Sequence, residues 1–424
     1  MMLTAALGAA GCGLVAAQSL PGTSPARLSA GPYTDIQRGL YLVRAGDCRS
    51  CHTAPNGQPF AGGRAVPTPF GTIYSTNITP DAETGIGQWT DADFLRAMHH
   101  GIDREGRQLY PAFPYPWYTK VAPDDVAAIK AYLDTLEPVR SLPRDNELPW
   151  PLNMRTPVAA WDWLFLDTGV YQDNPQKSDA WNRGAYLVEG LGHCSACHGD
   201  KNLLGATDKD HPFGGGYAEN VFAPSLTGGT RDGLGAWSED DIVRFLKTGS
   251  NGRESAAGPM AEVVEMSTQY LTEADLRAIA TYLKDLPGGA SQSRGDDSRT
   301  ALASDDSRMQ HGAALYYDNC RACHMDGGTG QPQAFPPLKD SSSIQAEHAD
   351  TLIDVILNGA RKPVTDGDFT GLQMPGFAAR LDDGEIADLV TYVRNGWGNS
   401  AGAVSSDTVA QLRSDTRHGG GDVR

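Results

Sequence analysis

Several things are scarce in this 424-residue chain. Basic residues are outnumbered, 35 Lys and Arg against 52 Asp and Glu, and the net charge is -17. No basic run interrupts that acidity, which argues against a nucleic-acid partner, because phosphate binding needs clustered Lys and Arg. The balance fits a solvated acidic surface or, as the alternative, one that meets a basic redox partner. No flavin, quinone-cofactor or nicotinamide fingerprint is present, so the chain does not read as a substrate-oxidising subunit. Long apolar runs are missing beyond the N-terminus. There, residues 1–20 form an uncharged apolar leader ending in Val15-Ala16-Ala17, a small-residue cleavage pattern without the usual positive start. A signal-peptide remnant is expected. An uncleaved anchor and lipid attachment at Cys12 are the alternatives, although the residues before Cys12 fit a lipobox poorly.

Cysteine is also rare, with seven in all, and its placement is the main signal. Apart from Cys12, the cysteines fall into Cys48-Arg-Ser-Cys51-His52, Cys194-Ser-Ala-Cys197-His198 and Cys320-Arg-Ala-Cys323-His324. Each is a C-x-x-C-H haem c attachment pattern. Two thiols on one helical turn can add to the two vinyl groups of a porphyrin, and the following His then lies under the iron. A redox dithiol does not require that His, and zinc would need its four ligands grouped rather than separated by more than a hundred residues. Three covalent haem c groups are therefore expected.

Repeats surround the motifs. Arg38-Gly39-Leu40-Tyr41 precedes the first, Arg183-Gly184-Ala185-Tyr186 the second and His311-Gly312-Ala313-Ala314 the third. The shared Gly predicts close contact with another helix. A partner helix recurs as Val126, Ile129, Tyr132, Leu133, then Leu276, Ile279, Tyr282, Leu283, then Ile386, Leu389, Tyr392, Val393. The steps i, i+3, i+6 and i+7 make one apolar face. A middle helix opens with capping-box patterns at Thr90 and Ser238, and its third copy is weaker, from about His348 to Leu357. The fold predicted is all-α, with three tandem class I cytochrome c domains. They cover residues 33–139, 179–287 and 309–398, joined by an aromatic-containing linker at 140–178 and a flexible Gly/Ser/Asp-rich linker at 288–308. Residues 399–424 form a polar tail with an expected unstructured end.

A second axial ligand is expected from a loop before each last helix. Met374 in Gln373-Met374-Pro375-Gly376 is the only Met in the right window of domain three. Met260 after Gly258-Pro259 is preferred over Met266 in domain two. Domain one has Phe113 where a Met would stand, so Met98 is preferred there, with His99 or His100 next and an open iron last. Carbonyls of Pro224 and of Pro336 or Pro337 are candidates to hold the proximal His rings, while domain one offers Ser75-Thr76-Asn77-Ile78-Thr79 instead. Between domains one and two, Val158-Ala-Ala-Trp161-Asp-Trp163-Leu164-Phe165-Leu166 reads as an interdomain strap or as a docking patch.

Longer stretches carry a family resemblance. Cys51-His52-Thr53-Ala54-Pro55 through Gly62-Gly63, Thr68-Pro69-Phe70-Gly71-Thr72 through Pro80-Asp81, Leu109-Tyr110-Pro111-Ala112, Pro151-Leu152-Asn153-Met154-Arg155 and Gly258-Pro259-Met260-Ala261-Glu262-Val263-Val264 are similar to the tri-haem cytochrome c subunit of bacterial membrane-bound dehydrogenases. These accompany catalytic subunits that oxidise alcohols, gluconate, sorbitol or aldehydes. The resemblance implies electron transfer from a catalytic dehydrogenase subunit to ubiquinone or a terminal oxidase, in the periplasm at the outer face of the cytoplasmic membrane. It implies proximal ligation by His52, His198 and His324, and Met ligation by Met260 and Met374. Family members often read Tyr-Pro-Ala-Met-Pro-Tyr where this chain has Phe113. That departure leaves the first haem's ligation open. It also keeps the branch serving molybdenum-containing aldehyde or heterocycle oxidoreductases as an alternative. A membrane-attaching C-terminal segment is not evident. Two competing functions are a haem peroxidase, for which only domain one could supply an open iron, and a free multi-haem carrier.

Overall fold

The computed structural model describes residues 34–218, 221–287, 301–368 and 370–419. The leader, Cys12, residues 288–300 of the second linker and the last five residues lie outside the described residues. Helices dominate. Three short antiparallel hairpins interleave with them: Ala65–Thr68 with Gly71–Tyr74, Gly216–Ala218 with Val221–Ala223, and Ala360–Arg361 with Gln373–Met374.

Each domain is built on one pair of packed helices. In domain one, Asp35–Ala45 packs on Pro123–Leu133. In domain two, Asp179–Tyr186 packs on Glu273–Lys284. In domain three, Ser307–Asn319 packs on Asp383–Asn395. The repeated Gly sits at each point of contact. A Cβ on Gly39 would lie 1.9 Å from the Ala128 carbonyl oxygen, on Gly184 2.0 Å from that of Ala278, and on Gly312 2.2 Å from that of Asp388. No side chain fits there, so the helices could not come this close with any other residue. The repeated apolar stripe faces the contact: Val126, Ile129, Leu133, Leu276, Tyr282, Ile386 and Leu389 are all buried. The middle helices Asp91–His100 and Glu239–Thr248 begin with complete capping boxes at Thr90/Asp93 and Ser238/Asp241. The weaker third copy spans Asp350–Asn358 and has no side-chain cap.

Domains one and two share one hydrophobic core. Leu42, Val43, Val121 and Ile129 pack in the same cluster as Tyr186, Leu187, Leu191, Leu276 and Ile279. Two reciprocal contacts cross the junction. Tyr41 donates 2.6 Å to Asp275, and the Thr272 amide donates 3.1 Å to Tyr41. In mirrored fashion Tyr186 donates to Asp125, and the Ala122 amide donates 3.0 Å to Tyr186. Each aspartate is also paired with the Arg of its own domain, Asp275 with Arg183 at 2.8 Å and Asp125 with Arg38. Equivalent residues thus exchange equivalent bonds, as in a two-fold dimer interface.

Domain three has its own core, centred on Ile353, Ile386, Leu389 and Val390. Its contacts with domain two include several polar ones. The buried Glu254 accepts from the Ser341 hydroxyl at 2.8 Å, from the Ser342 and Ser343 amides at 3.1 and 3.4 Å, and from the Ser343 hydroxyl. Thr351 and Phe222 exchange bonds of 2.9 and 2.7 Å, and Arg361 donates 2.7 Å to Glu265. After Gly398, where the sequence suggests only a polar tail, helix Ser406–Gly419 buries Val409 and sends Arg413 to Asp383 at 2.6 Å.

The aromatic linker folds as helix Thr156–Phe165 and straps the first two domains. Asp162 accepts 2.6 Å from Tyr115 of domain one, and Trp161 donates 2.9 Å to the Leu204 carbonyl of domain two. Trp163 is left 84% exposed beside a half-exposed Leu164, so the strap reading accounts for only part of the helix.

Candidate haem sites

Each C-x-x-C-H motif forms a short helical turn after the N-terminal helix of its domain: Cys48–Cys51, Ser195–His198 and Arg321–His324. The thiols of Cys48, Cys51, Cys194, Cys197, Cys320 and Cys323 are all free of disulfides. Burial pushes the Cys48 and Cys194 thiols up to about 12 and Cys320 up to about 11. That is opposite to the lowered pKa of a reactive redox dithiol. Among the described residues, no cluster of three or more His, Cys, Asp or Glu could hold a metal ion, so a zinc site has no support there.

The three histidines are held alike. His52 Nδ1 lies 2.6 Å from the Thr76 carbonyl, His198 Nδ1 2.7 Å from that of Pro224, and His324 Nδ1 2.9 Å from that of Pro336. A carbonyl can only accept, so Nδ1 carries the proton and Nε2 presents its lone pair. Burial lowers the pKa of all three rings and the carbonyl bond opposes it only partly, which keeps the imidazoles neutral. A neutral imidazole with a fixed tautomer is what an iron ligand requires. Two thiols outside any disulfide and one such His per turn therefore fit a covalent haem in all three domains. Of the two prolines open in domain three, Pro336 supplies the carbonyl. Domain one uses Thr76 from the stretch that stands where the others have proline.

The methionines are placed less uniformly. Met374 lies in the last hairpin, paired with Ala360, and packs on the same core as Cys320. Met98 is buried in helix Asp91–His100, in the core that Cys48 also packs against. Met260 belongs to a smaller cluster with Ala256, Ala261 and Val264, which shares Phe245 with the main core. Its helix, Gly258–Met266, touches the turn Cys48–Cys51 of domain one, where Arg64 donates to both the Ser50 carbonyl and Glu262. The alternative ligand His99 is buried and donates Nε2–H 2.9 Å to the Val121 carbonyl, while His100 is exposed. Phe113 packs edge to face on Tyr118.

Sequence reasoning overlooked His193 and Tyr118. Tyr118 is buried and His193 half-buried between the first two motifs, and desolvation lowers the His193 imidazole to about 4. The only local signal was that His193 immediately precedes Cys194.

These features define a multi-domain c-type cytochrome. The cytochrome c family model matches residues 36–137, 182–287 and 309–397, and the chain belongs to that family and carries three covalent haem c groups. It is 42% identical over 401 residues to the gluconate 2-dehydrogenase cytochrome c subunit of Pantoea cypripedii, covering 90% of each chain. It is 41% identical over 392 residues to the cytochrome c subunit of the quinone-type alcohol dehydrogenase of Gluconobacter oxydans, covering 89% of this chain and 82% of that one. Identity to one of the subunits of the nicotinate dehydrogenase of Pseudomonas putida is 42% over 369 residues, 85% of this chain but 30% of that protein. Its function is electron transfer.

Proposed function

We propose that this chain is the electron-transfer subunit of a dehydrogenase complex on the outer face of the cytoplasmic membrane. A separate catalytic subunit oxidises an alcohol, sugar acid or aldehyde and delivers electrons one at a time. This chain passes them to ubiquinone or a terminal oxidase. The observation that carries the reading is the same His-to-carbonyl anchor beside two thiols outside any disulfide in all three domains. The likeness to dehydrogenase cytochrome subunits across most of the chain supports it. When bound, haem c supplies a one-electron couple whose potential a Met ligand raises. Cys48 and Cys51, Cys194 and Cys197, and Cys320 and Cys323 would hold the three porphyrins. His52, His198 and His324 would bind iron through Nε2, and Met98, Met260 and Met374 would supply the second ligands. The protein's own contribution is to fix each imidazole and exclude water around it.

The similarity to the nicotinate dehydrogenase chain, together with Phe113, favours a second reading. In it the catalytic partner is a molybdenum-containing aldehyde or heterocycle oxidoreductase.

Purification of the tagged chain from its own membranes tests the partnership. A catalytic subunit that co-purifies and reduces ubiquinone through this chain is expected. Purification of the chain alone, with rapid carbon monoxide or cyanide binding at the first haem, would favour an enzyme acting on its own. For the first ligand, Met98→Ala should abolish one of the Met-ligation signatures in the magnetic and visible spectra. Retention of all of them contradicts the assignment of Met98.

A further inference from the structure

The short turn Tyr115–Tyr118 lies between the first two attachment motifs, and its aromatic rings form a chain. Phe113 stands 5.5 Å from Tyr118, edge to face at 65°. Tyr118 stands 5.7 Å from His193, again edge to face at 67°. His193 is bonded in sequence to Cys194, one of the two cysteines expected to hold the second porphyrin. At the other end, the Tyr118 hydroxyl donates 3.2 Å to the carbonyl of Gly46, two residues before Cys48. Burial raises the Tyr118 pKa well above its ordinary value, so the hydroxyl stays a neutral donor. Next to it, Trp117 donates 2.7 Å to the Ser195 hydroxyl, inside the second motif. The two loops are in near contact: a Cβ on Gly46 would lie 3.3 Å from Leu191 and 3.6 Å from the Cys48 sulfur.

His193 is also held in the left-handed region, at φ 35. Asp47, which precedes the first motif in the same way, is at φ 50, so this backbone turn belongs to the repeat. The pseudo-symmetry of the junction is broken in the side chain. The residue that corresponds to His193 by motif spacing is Asp47, which has no ring. The aromatic chain therefore occupies one side of the junction and is not a by-product of the repeat.

We propose that Tyr118 and His193 form the bridge through which electrons cross between the first and second haems. This rests on the reading that the first two C-x-x-C-H motifs hold haem. Tunnelling weakens steeply across gaps and less across packed or bonded atoms. Contacting rings that end next to Cys194, with a hydrogen bond to the backbone before Cys48, fill the space between the two sites with such atoms. One electron leaves one iron and arrives at the other. Tyr118 and His193 are neither oxidised nor reduced, and no proton moves.

The test uses the full-length holoprotein after its haem content has been counted. Electron transfer between haems one and two is followed after rapid photoreduction, beside a redox titration. Tyr118→Leu and His193→Leu should each slow that step several-fold, with the three reduction potentials and the transfer from haem two to haem three unchanged. Tyr118→Phe keeps the ring but loses the hydrogen bond to Gly46, so its rate should fall between those of the wild type and Tyr118→Leu. A wild-type rate in both leucine variants overturns the bridge, and so does a Tyr118→Phe variant as slow as Tyr118→Leu. A role confined to core packing would lower stability without moving the rate. If Tyr118→Leu does not take up its haems, His193→Leu decides. A wild-type chain with only two haems would instead remove the underlying site assignment.

Discussion

Domain two meets its neighbours in two different ways. Toward domain one it contributes to a continuous apolar core, sealed by Tyr41 on Asp275 and Tyr186 on Asp125. Toward domain three it presents Glu254 to the Ser341-Ser342-Ser343 turn, Glu265 to Arg361 and backbone groups to Thr351. The difference can be traced to one repeat position. Domains one and two carry Tyr41 and Tyr186 three residues after the Arg, whereas domain three carries an exposed Ala314. A tyrosine can bury its ring and hand its hydroxyl to a neighbour's carboxylate. An alanine can do neither, so domain three does not join the exchange and keeps a separate core. The contrast suggests that the first two domains unfold as one cooperative unit and the third as another.

Breaking the ion pairs should separate the two cases most clearly. Arg183 and Asp275 are both buried, and Asp275 also serves Tyr41 across the junction. Arg183→Ala strands that carboxylate and should cost about 3–5 kcal/mol in the unfolding of domains one and two together. In domain three the Arg183 position is His311, which pairs not with the Asp275 counterpart Glu385 but with Asp388, three residues further on; that pair is half-exposed, so His311→Ala should cost about 0–1 kcal/mol. Denaturant titrations of both variants check this. Equal losses would show that the two regions are held alike.

A smaller effect is expected at the polar junction. Glu254→Ala leaves the donors of Ser341, Ser342 and Ser343 without their acceptor, at a cost of roughly 1–3 kcal/mol. Limited proteolysis should then release domain three while the first two domains stay intact. Cleavage within domains one and two at the same rate would contradict a separate docking of domain three.

The smallest effect is in pH dependence, where the junctions should respond in opposite directions. Burial raises Asp275, but the hydrogen bonds and charge of Arg183 outweigh it and hold the carboxyl below its usual range. Its contribution is therefore present above the ordinary carboxylate pKa and is lost as pH falls through the lowered value. Burial raises Glu254, and its serine donors do not fully offset this. Its contribution is fully present in acid and is lost as pH rises through the raised value. Acidification should loosen the junction of domains one and two while tightening that of two and three. Glu254→Gln should remove the second trend and leave the first, as read by hydrogen exchange across a pH series.

Much of this was legible locally. The C-x-x-C-H turns, the Gly at each helix contact and the stripes through Ile129, Ile279 and Leu389 all lie within short windows that periodicity can report. The carbonyls of Thr76, Pro224 and Pro336 were partly legible, because proline-containing loops are recognisable while the choice between Pro336 and Pro337 depends on backbone geometry. The reciprocal tyrosines, the Glu254 contacts and the aromatic chain were not. They join residues far apart in sequence, and a tyrosine repeated twice reads as ordinary core until its partner aspartate is seen. The hairpins escaped the all-α reading because strands of two to four residues carry almost no alternation. The C-terminal helix reads as a polar tail in the sequence because the apolar contacts of Val409 and Leu412 are too few to give a stripe.

Native-state hydrogen exchange on the holoprotein under rising denaturant tests the central contrast most directly. Peptides from Asp35–Ala45, Pro123–Leu133, Asp179–Tyr186 and Glu273–Lys284 should lose protection in one step. Those from Ser307–Asn319 and Asp383–Asn395 should lose it in another. Separate steps for domains one and two, or a single step for all three, would contradict the account.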